Sequence, residues 1–374
     1  MRLLTVRSFL VGLTLISVAG LAAAQQTPAE KTAEQVFKNI QVFQGKPANE
    51  LIPTMQFIAS SLGVHCSYCH EENRSLDTKP EKKRARQMVE MVYAINKSTF
   101  GGRNEVNCYT CHQGSPHPNG RLALASLTGA PAGGPGRGGP GSAGPGGEGG
   151  GQGAASRPKL PGAQEILDKY MAAIGGASSL QAIHAETVKG ERMAFGRSTP
   201  VELTRAGGKL LLTEGTNAKS GFDGTTFWSW GRRGTDMNPE SSTVAQLRTD
   251  LPLYPGAGID ASKARVFTEQ DIDGQKAYIL GVRTASGFDS YAFDASSGLL
   301  MRMTTGAPTF LGTLPLQVDY NDWRQVGSVK LPFDVVFDTH EFHWERKIND
   351  IRLNPSVDAA RFTAPAAAPS GASN

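Results

Sequence analysis

Cys66-Ser-Tyr-Cys69-His70 recurs downstream as Cys108-Tyr-Thr-Cys111-His112, and the two pentads hold all four cysteines of the chain. Two thiols one short loop apart can add to the two vinyl groups on one edge of a porphyrin. The residue that follows then sets an imidazole under the iron, so Cys-x-x-Cys-His is the attachment pattern of c-type haem. Two other chemistries use paired cysteines: a zinc site with a long insert, and two short disulfides or redox dithiols. Neither accounts for a histidine directly after both pairs.

The segments leading into each pentad have helical periodicity. Before Cys66, a helix is expected from about Ala48 to Leu62, with an apolar stripe of Met55, Ile58, Ala59 and Leu62 and a stop at Gly63. Before Cys108, Pro80 opens a helix to about Asn96 whose apolar face is Met88, Met91, Val92 and Ile95. Helix, turn and haem motif are thus given twice. A haem iron facing histidine on one side takes a second axial ligand on the other, and a thioether there raises its reduction potential. Met55 lies on the helix before the first pentad, and Met88 and Met91 on the equivalent helix before the second. On an apolar stripe the same methionines could serve as core.

Residues from about Lys38 to Asn119 resemble the cytochrome c subunit of photosynthetic reaction centres. The resemblance is carried by Pro53-Thr-Met55-Gln-Phe-Ile-Ala, Cys66-Ser-Tyr-Cys-His70-Glu-Glu-Asn73, Ala85-Arg-Gln-Met88-Val-Glu-Met91-Val-Tyr-Ala-Ile-Asn96 and Val106-Asn-Cys-Tyr-Thr-Cys-His112-Gln-Gly114. In that family each haem follows a helix that supplies the axial methionine. The resemblance implies two covalent haems c, one on Cys66 and Cys69 with His70 and Met55 at its iron, the other on Cys108 and Cys111 with His112 and Met88. Met91 is then a packing neighbour. The resemblance also implies a protein donor and acceptor, with a membrane-bound reaction centre or a respiratory complex as a candidate partner. The family's subunit carries four haems in two such halves, and this chain has one half.

Residues 1–24 have the pattern of a secretory leader: Arg2 and Arg7, an apolar run from Phe9 to Leu21, then Ala22-Ala23-Ala24. The alternative is a retained anchor, although the run is short of the roughly 20 residues a span needs. Export to the periplasm, or to the outer face of the cytoplasmic membrane, agrees with haem attachment outside the cytoplasm. The formal charge of +4 falls by two, to +2, without Arg2 and Arg7. With no basic stripe interleaved by aromatics, a nucleic-acid partner is not expected. The one basic run, Lys82-Lys83-Arg84-Ala85-Arg86, suits either a solvated helix face or contacts to haem propionates or an acidic partner.

The haem-bearing part is expected over residues 25–127. Residues 128–160 are Gly, Pro, Ala and Ser almost throughout, a flexible linker spanning roughly 30 Å that would let the haem part swing between partners. Gly134, Gly136 and Gly139 fit a dinucleotide fingerprint there, but no strand precedes them and no helix follows.

From residue 161 to 366 the chain again has globular patterning. Helices are expected at Ala163–Ile174 and Ser178–Ile183, followed by ten strands: 187–193, 201–205, 209–213, 227–231, 277–282, 290–294, 299–303, 317–324, 333–342 and 344–353. Element order and runs such as Gly221-Phe-Asp-Gly-Thr-Thr-Phe-Trp228 and Val318-Asp-Tyr-Asn-Asp-Trp323 resemble the lipoprotein-carrier fold, a half-open barrel. That resemblance implies a hydrophobic ligand; the plainer alternative is a sheet without one. Residues 367–374 form a tail.

The fold class expected is therefore multidomain: a helical dihaem part, a disordered Gly/Pro linker and a β-rich open-barrel-like part. The function expected is electron transfer with no catalytic residue. The rivals are a dihaem peroxidase or reductase with one open haem, and a hydrophobic-ligand-binding protein with a redox-sensing cytochrome. His65 and His117 are alternative axial candidates, and His340 and His343 stand on opposite faces if their segment is one strand.

Overall fold

Glycine and proline punctuate the N-terminal helices where the sequence places them. The structure is a computed structural model that describes residues 30–118, 160–284, 287–339 and 342–366. The leader, nearly all of the Gly/Pro segment and residues 367–374 lie outside the described residues. Helix α1 (Ala33–Val36) is one turn. Helix α2 (Leu51–Leu62) grows out of a tighter turn at Ala48–Glu50 and ends at Gly63, whose φ of 65° gives the left-handed stop. Helix α3 (Pro80–Phe100) has proline in its first turn and ends at Gly101 with φ 62°. It continues past Asn96 because nothing before Gly101 breaks it. The second pentad is itself a short helix, α4 (Cys108–His112), capped by the Asn107 side chain.

The buried stripes differ from the expected ones. On α2 the core-facing residues are Leu51, Thr54, Phe57 and Ser61, while Met55, Ile58 and Leu62 are half-buried on a second face. On α3 the buried residues are Lys82, Val89, Val92 and Asn96, and Met88 and Met91 are 41 % and 44 % exposed. The basic run is likewise split, since Lys82 is buried and Arg86 half-buried while Lys83 and Arg84 face water. Asn96 binds the loop before α4 on both sides, donating to the Val106 carbonyl (2.7 Å) and accepting from the Val106 N–H (3.0 Å).

Residues 160–366 open with α5 (Ala163–Ala173) and α6 (Gly176–Gln181). They then form an antiparallel sheet of 13 strands in the order β6-β5-β4-β3-β2-β1-β13-β12-β11-β10-β9-β8-β7. The strands are β1 (Ala185–Ala194), β2 (Arg197–Ala206), β3 (Lys209–Glu214), β4 (Ala218–Phe222), β5 (Phe227–Gly231), β6 (Gly234–Asp236), β7 (Ala264–Ile272), β8 (Gln275–Thr284), β9 (Gly287–Asp294), β10 (Leu300–Thr309), β11 (Gly312–Val326), β12 (Val329–Asp338) and β13 (His343–Leu353). Every consecutive pair of strands is hydrogen-bonded except β6 and β7, which are the two open edges, and β13 returns to pair with β1. At Gly190 the β1–β13 register slips, and a Cβ there would stand 2.1 Å from the Lys347 carbonyl. Only glycine lets the backbones approach so closely, and the bulge bends the sheet there. Helix α7 (Ser241–Asp250) packs on β4, β10 and β11.

The two parts share one apolar core. Phe43, Leu51, Phe57, Val89, Val92 and Cys108 belong to the same buried cluster as Phe310, Leu311, Leu314 and Phe293. The Phe43 and Phe310 rings sit 5.1 Å apart, and the Phe310 N–H donates to Thr54 Oγ1 at 3.1 Å. The turn between β10 and β11 is therefore wedged against α2. The expected freely swinging haem part is instead packed on the sheet, because the face of α2 that carries Leu51, Thr54 and Phe57 needs cover.

Candidate functional site

The half-buried face of α2, the first pentad and the start of α3 enclose a cavity of about 420 Å³, bordered by Met55, Ile58, Leu62, Cys66, Cys69, His70 and Val89. This falls within the roughly 300–1,000 Å³ usual for cofactor and small-molecule sites. Met55 and the first Cys-Cys-His set, separate in sequence, thus border one space. Cations stand around it: Lys38, Arg74, Lys82 and Arg86 are among its bordering residues.

The loop after His70 is tied to α3 by this charge. Lys82 Nζ donates to the Arg74 and Leu76 carbonyls at 2.9 and 2.7 Å and pairs with Asp77 at 3.0 Å, so all three ammonium protons have partners. Arg86 grips Asp77 bidentately, at 2.9 Å to each oxygen. Hydrogen bonds from Arg86 and Lys82 hold the Asp77 carboxyl well below its usual range. The Arg74 guanidinium makes no ion pair among the described residues.

The titration of the pentads suits ligation better than thiol redox chemistry. Burial pushes the Cys108 thiol up to about 11 and raises that of Cys69, whereas reactive dithiols have lowered values. The four cysteines form no disulfide with one another, and no group of three His, Cys, Asp or Glu side chains is gathered as a metal-ion site among the described residues. Burial also lowers His70, favouring the neutral imidazole that metal ligation requires.

The second pentad has exposed apolar side chains on it and on α3. Cys108 is buried and Cys111 exposed, and Met88, Met91 and Tyr109 leave much of their apolar surface uncovered. His112 Nδ1 lies 2.9 Å from the Ser115 carbonyl. With Nδ1 protonated and donating to it, Nε2 carries a free lone pair, the arrangement a ligating histidine needs. The two pentads meet through Gly63 and Gly114. The Gly114 N–H donates to the Ser61 carbonyl at 2.9 Å, and a Cβ on Gly63 would lie 2.3 Å from the Gly114 oxygen.

A second polar constellation, on the sheet, has no signature in the sequence. Arg346 donates bidentately to Asp250 at 2.7 and 2.9 Å, and Arg205 pairs with Glu186 while donating to the Asp250 and Pro252 carbonyls at 2.9 and 2.6 Å. All four side chains are buried, and burial raises the Glu186 carboxyl against the pull of Arg205. Their partners stand 96 and 19 residues apart, which no spacing rule detects. The space they border is only about 40 Å³. A hydrophobic ligand has no room at this place, which fits groups the size of water.

Residues 15–129 match the family model of the photosynthetic reaction centre cytochrome C subunit. The N-terminal part of this chain is related to c-type cytochromes. It is 36 % identical over 92 residues to the photosynthetic reaction center cytochrome c subunit of Rubrivivax gelatinosus, covering 23 % of this chain and 25 % of that one. It is 34 % identical over 87 residues to cytochrome c-554 of Chloroflexus aurantiacus, 21 % of either chain. The chain thus spans about a quarter of the length of the curated relatives it matches. The C-terminal part is similar to a putative outer membrane lipoprotein-sorting protein domain from Vibrio parahaemolyticus, with a TM-score of 0.38 at 10 % identity over 54 % of this chain and 97 % of that one. It is also similar to a LolA superfamily protein from Nitrosomonas europaea, with a TM-score of 0.39 at 13 % identity over 55 % of this chain and 98 % of that one. Among the described residues no helix is long and apolar enough to cross a membrane.

Proposed function

We propose that this chain is an exported dihaem c-type cytochrome that passes electrons between protein partners. The observation that carries the reading is the single cavity bordered by Met55, Cys66, Cys69 and His70, with cations around it. Haem iron, when bound, supplies a reversible one-electron couple. In the first site Cys66 and Cys69 would hold the porphyrin covalently, and His70 and Met55 would ligate its iron. Arg74, which has no ion pair of its own, would meet a propionate. In the second, Cys108 and Cys111 would hold the porphyrin, with His112 and Met88 as ligands and the exposed apolar surface of Met91 and Tyr109 beside it.

The chain's residues orient the ligands and exclude water. Ser115 orients His112, and the Lys82–Asp77–Arg86 network fixes the loop behind His70. Histidine and methionine as the ligands in both sites would leave peroxide or oxygen no place to bind, which would favour a carrier over a haem enzyme. Kinship with reaction-centre cytochromes supports a membrane-bound redox complex, photosynthetic or respiratory, as acceptor.

The test is haem stoichiometry after export in a host that attaches haem c. Two haems per chain are expected, falling to one when Cys66 and Cys69 are both replaced by alanine. A stoichiometry that this double replacement leaves unchanged would remove the first site from the account.

A further inference from the structure

One residue bordering the first cavity does not come from the cytochrome-like part. All the others lie between positions 37 and 89, and the exception is Phe342, in the turn between β12 and β13. Phe342 is tied to Thr339, because the Phe342 N–H donates to Thr339 Oγ1 at 3.0 Å and the Thr339 N–H donates to the Phe342 carbonyl at 2.8 Å. Phe342 is 41 % exposed, so its ring is not taken up in the sheet's own core.

A second ring reaches the same place from the neighbouring hairpin. Phe195 packs edge-on against Phe342, with centroids 6.0 Å apart and planes at 87°. It is 77 % exposed and occupies the first position of the two-residue β1–β2 turn, with φ 52°, followed by Gly196 with φ 69°. Turns with both central φ values positive take Asn, Asp or Gly at that position, and a phenylalanine there is held against its backbone preference. A strained backbone presenting a solvent-facing ring calls for a role at the place where the ring points.

Resting on the reading of the cavity as a haem site, we infer that the sheet part completes that site: Phe342, backed by Phe195, is the aromatic wall that limits water access to the first haem and raises its reduction potential. The wedge of Phe310 under α2 keeps the sheet part in position to do so. The physical cause is dielectric. Water stabilises the ferric haem, which carries one more positive charge, over the ferrous haem, so an apolar wall shifts the couple upward. Near the second pentad the sheet part offers the β10–β11 turn instead, where Asn104 donates to the Phe310 carbonyl at 3.3 Å. The C-terminal part is then a positioning element of the electron-transfer site.

The experiment is an equilibrium redox titration of the full chain, followed optically, for the wild type, Phe342→Ser and Phe195→Asn. The first haem is assigned by the couple that moves in Met55→His. Asparagine suits the Phe195 turn, so that variant removes a ring and leaves the hairpin intact. Phe342→Ser is expected to shift the first haem's equilibrium constant about tenfold towards the ferric form, a fall of about 59 mV for one electron. Phe195→Asn moves it the same way by less, and the second haem stays put in both. First-haem potentials equal to wild type in both variants, or an equal shift of both haems, would overturn the inference while leaving the haem assignment standing. Absence of haem on Cys66 and Cys69 would overturn the assignment and the inference together.

Discussion

Met55→His lowers the potential of one haem by on the order of 0.1 V and leaves the other nearly unchanged. Axial ligands command about 0.8 V of potential overall, and the exchange of thioether for imidazole moves within that span towards the ferric form. The effect is confined to one couple because Met55 borders the first cavity only, beside Cys66, Cys69 and His70. Spectroelectrochemistry resolves it as one one-electron wave that moves down while the other stays in place. A shift shared by both couples, or no shift, would mean that Met55 is a packing residue and that His65 or another group faces the iron.

Asp250→Ala costs the fold about 3–5 kcal/mol, the penalty for stranding one member of a buried ion pair. Arg346 is 3 % exposed and always protonated, and its two hydrogen bonds at 2.7 and 2.9 Å go to the carboxylate that would be lost. The Phe337 and Trp344 rings, 5.1 and 5.5 Å from the guanidinium, do not replace that charge. Replacing both members together, Asp250→Leu with Arg346→Met, recovers most of the loss, because a desolvated pair and a packed apolar pair differ little in net free energy. Urea unfolding reports both through the transition midpoint. A single-variant loss under about 1 kcal/mol, the range of exposed pairs, would mean that water reaches this pair in solution.

What was legible in the sequence is what local chemistry writes there. The two pentads, the proline that opens α3 and the glycines that close α2 and α3 all act through neighbours a few residues away. The ten strands were visible through alternation and turn residues. Three strands and a helix escaped. Strand β6 has three residues at one edge of the sheet, and β7 lies at the other with most of its side chains exposed, so neither carries an apolar pattern. Strand β4, Ala-Lys-Ser-Gly-Phe, has small and polar residues where bulk would mark a strand. Helix α7 buries Thr249 and Asp250 beside Ala245 and Leu247, and buried polar residues in a sequence resemble a surface.

Non-local contacts were the other blind spot. Thr54 and Phe57 face the β10–β11 turn, and nothing in their neighbourhood announces a partner some 250 residues away. The strand expected over 333–342 in fact ends at Asp338, and the turn that follows delivers Phe342 to the first cavity. Met88 and Met91 were placed on a packed face, yet the stripe that packs is Val89, Val92 and Asn96. The rotation matters for function, since it leaves both thioethers exposed rather than packed in the core.

The central claim is two irons, each held between histidine and methionine. The measurement that tests it most directly is the optical and resonance Raman spectrum of the purified protein, oxidised and reduced, beside Met55→Ala and Met88→Ala. Low-spin six-coordinate haem with sulfur-to-iron character, weakened by about half in each variant, is the result the account predicts. A high-spin component in the wild type would contradict it, because an iron with an open position belongs to a haem enzyme.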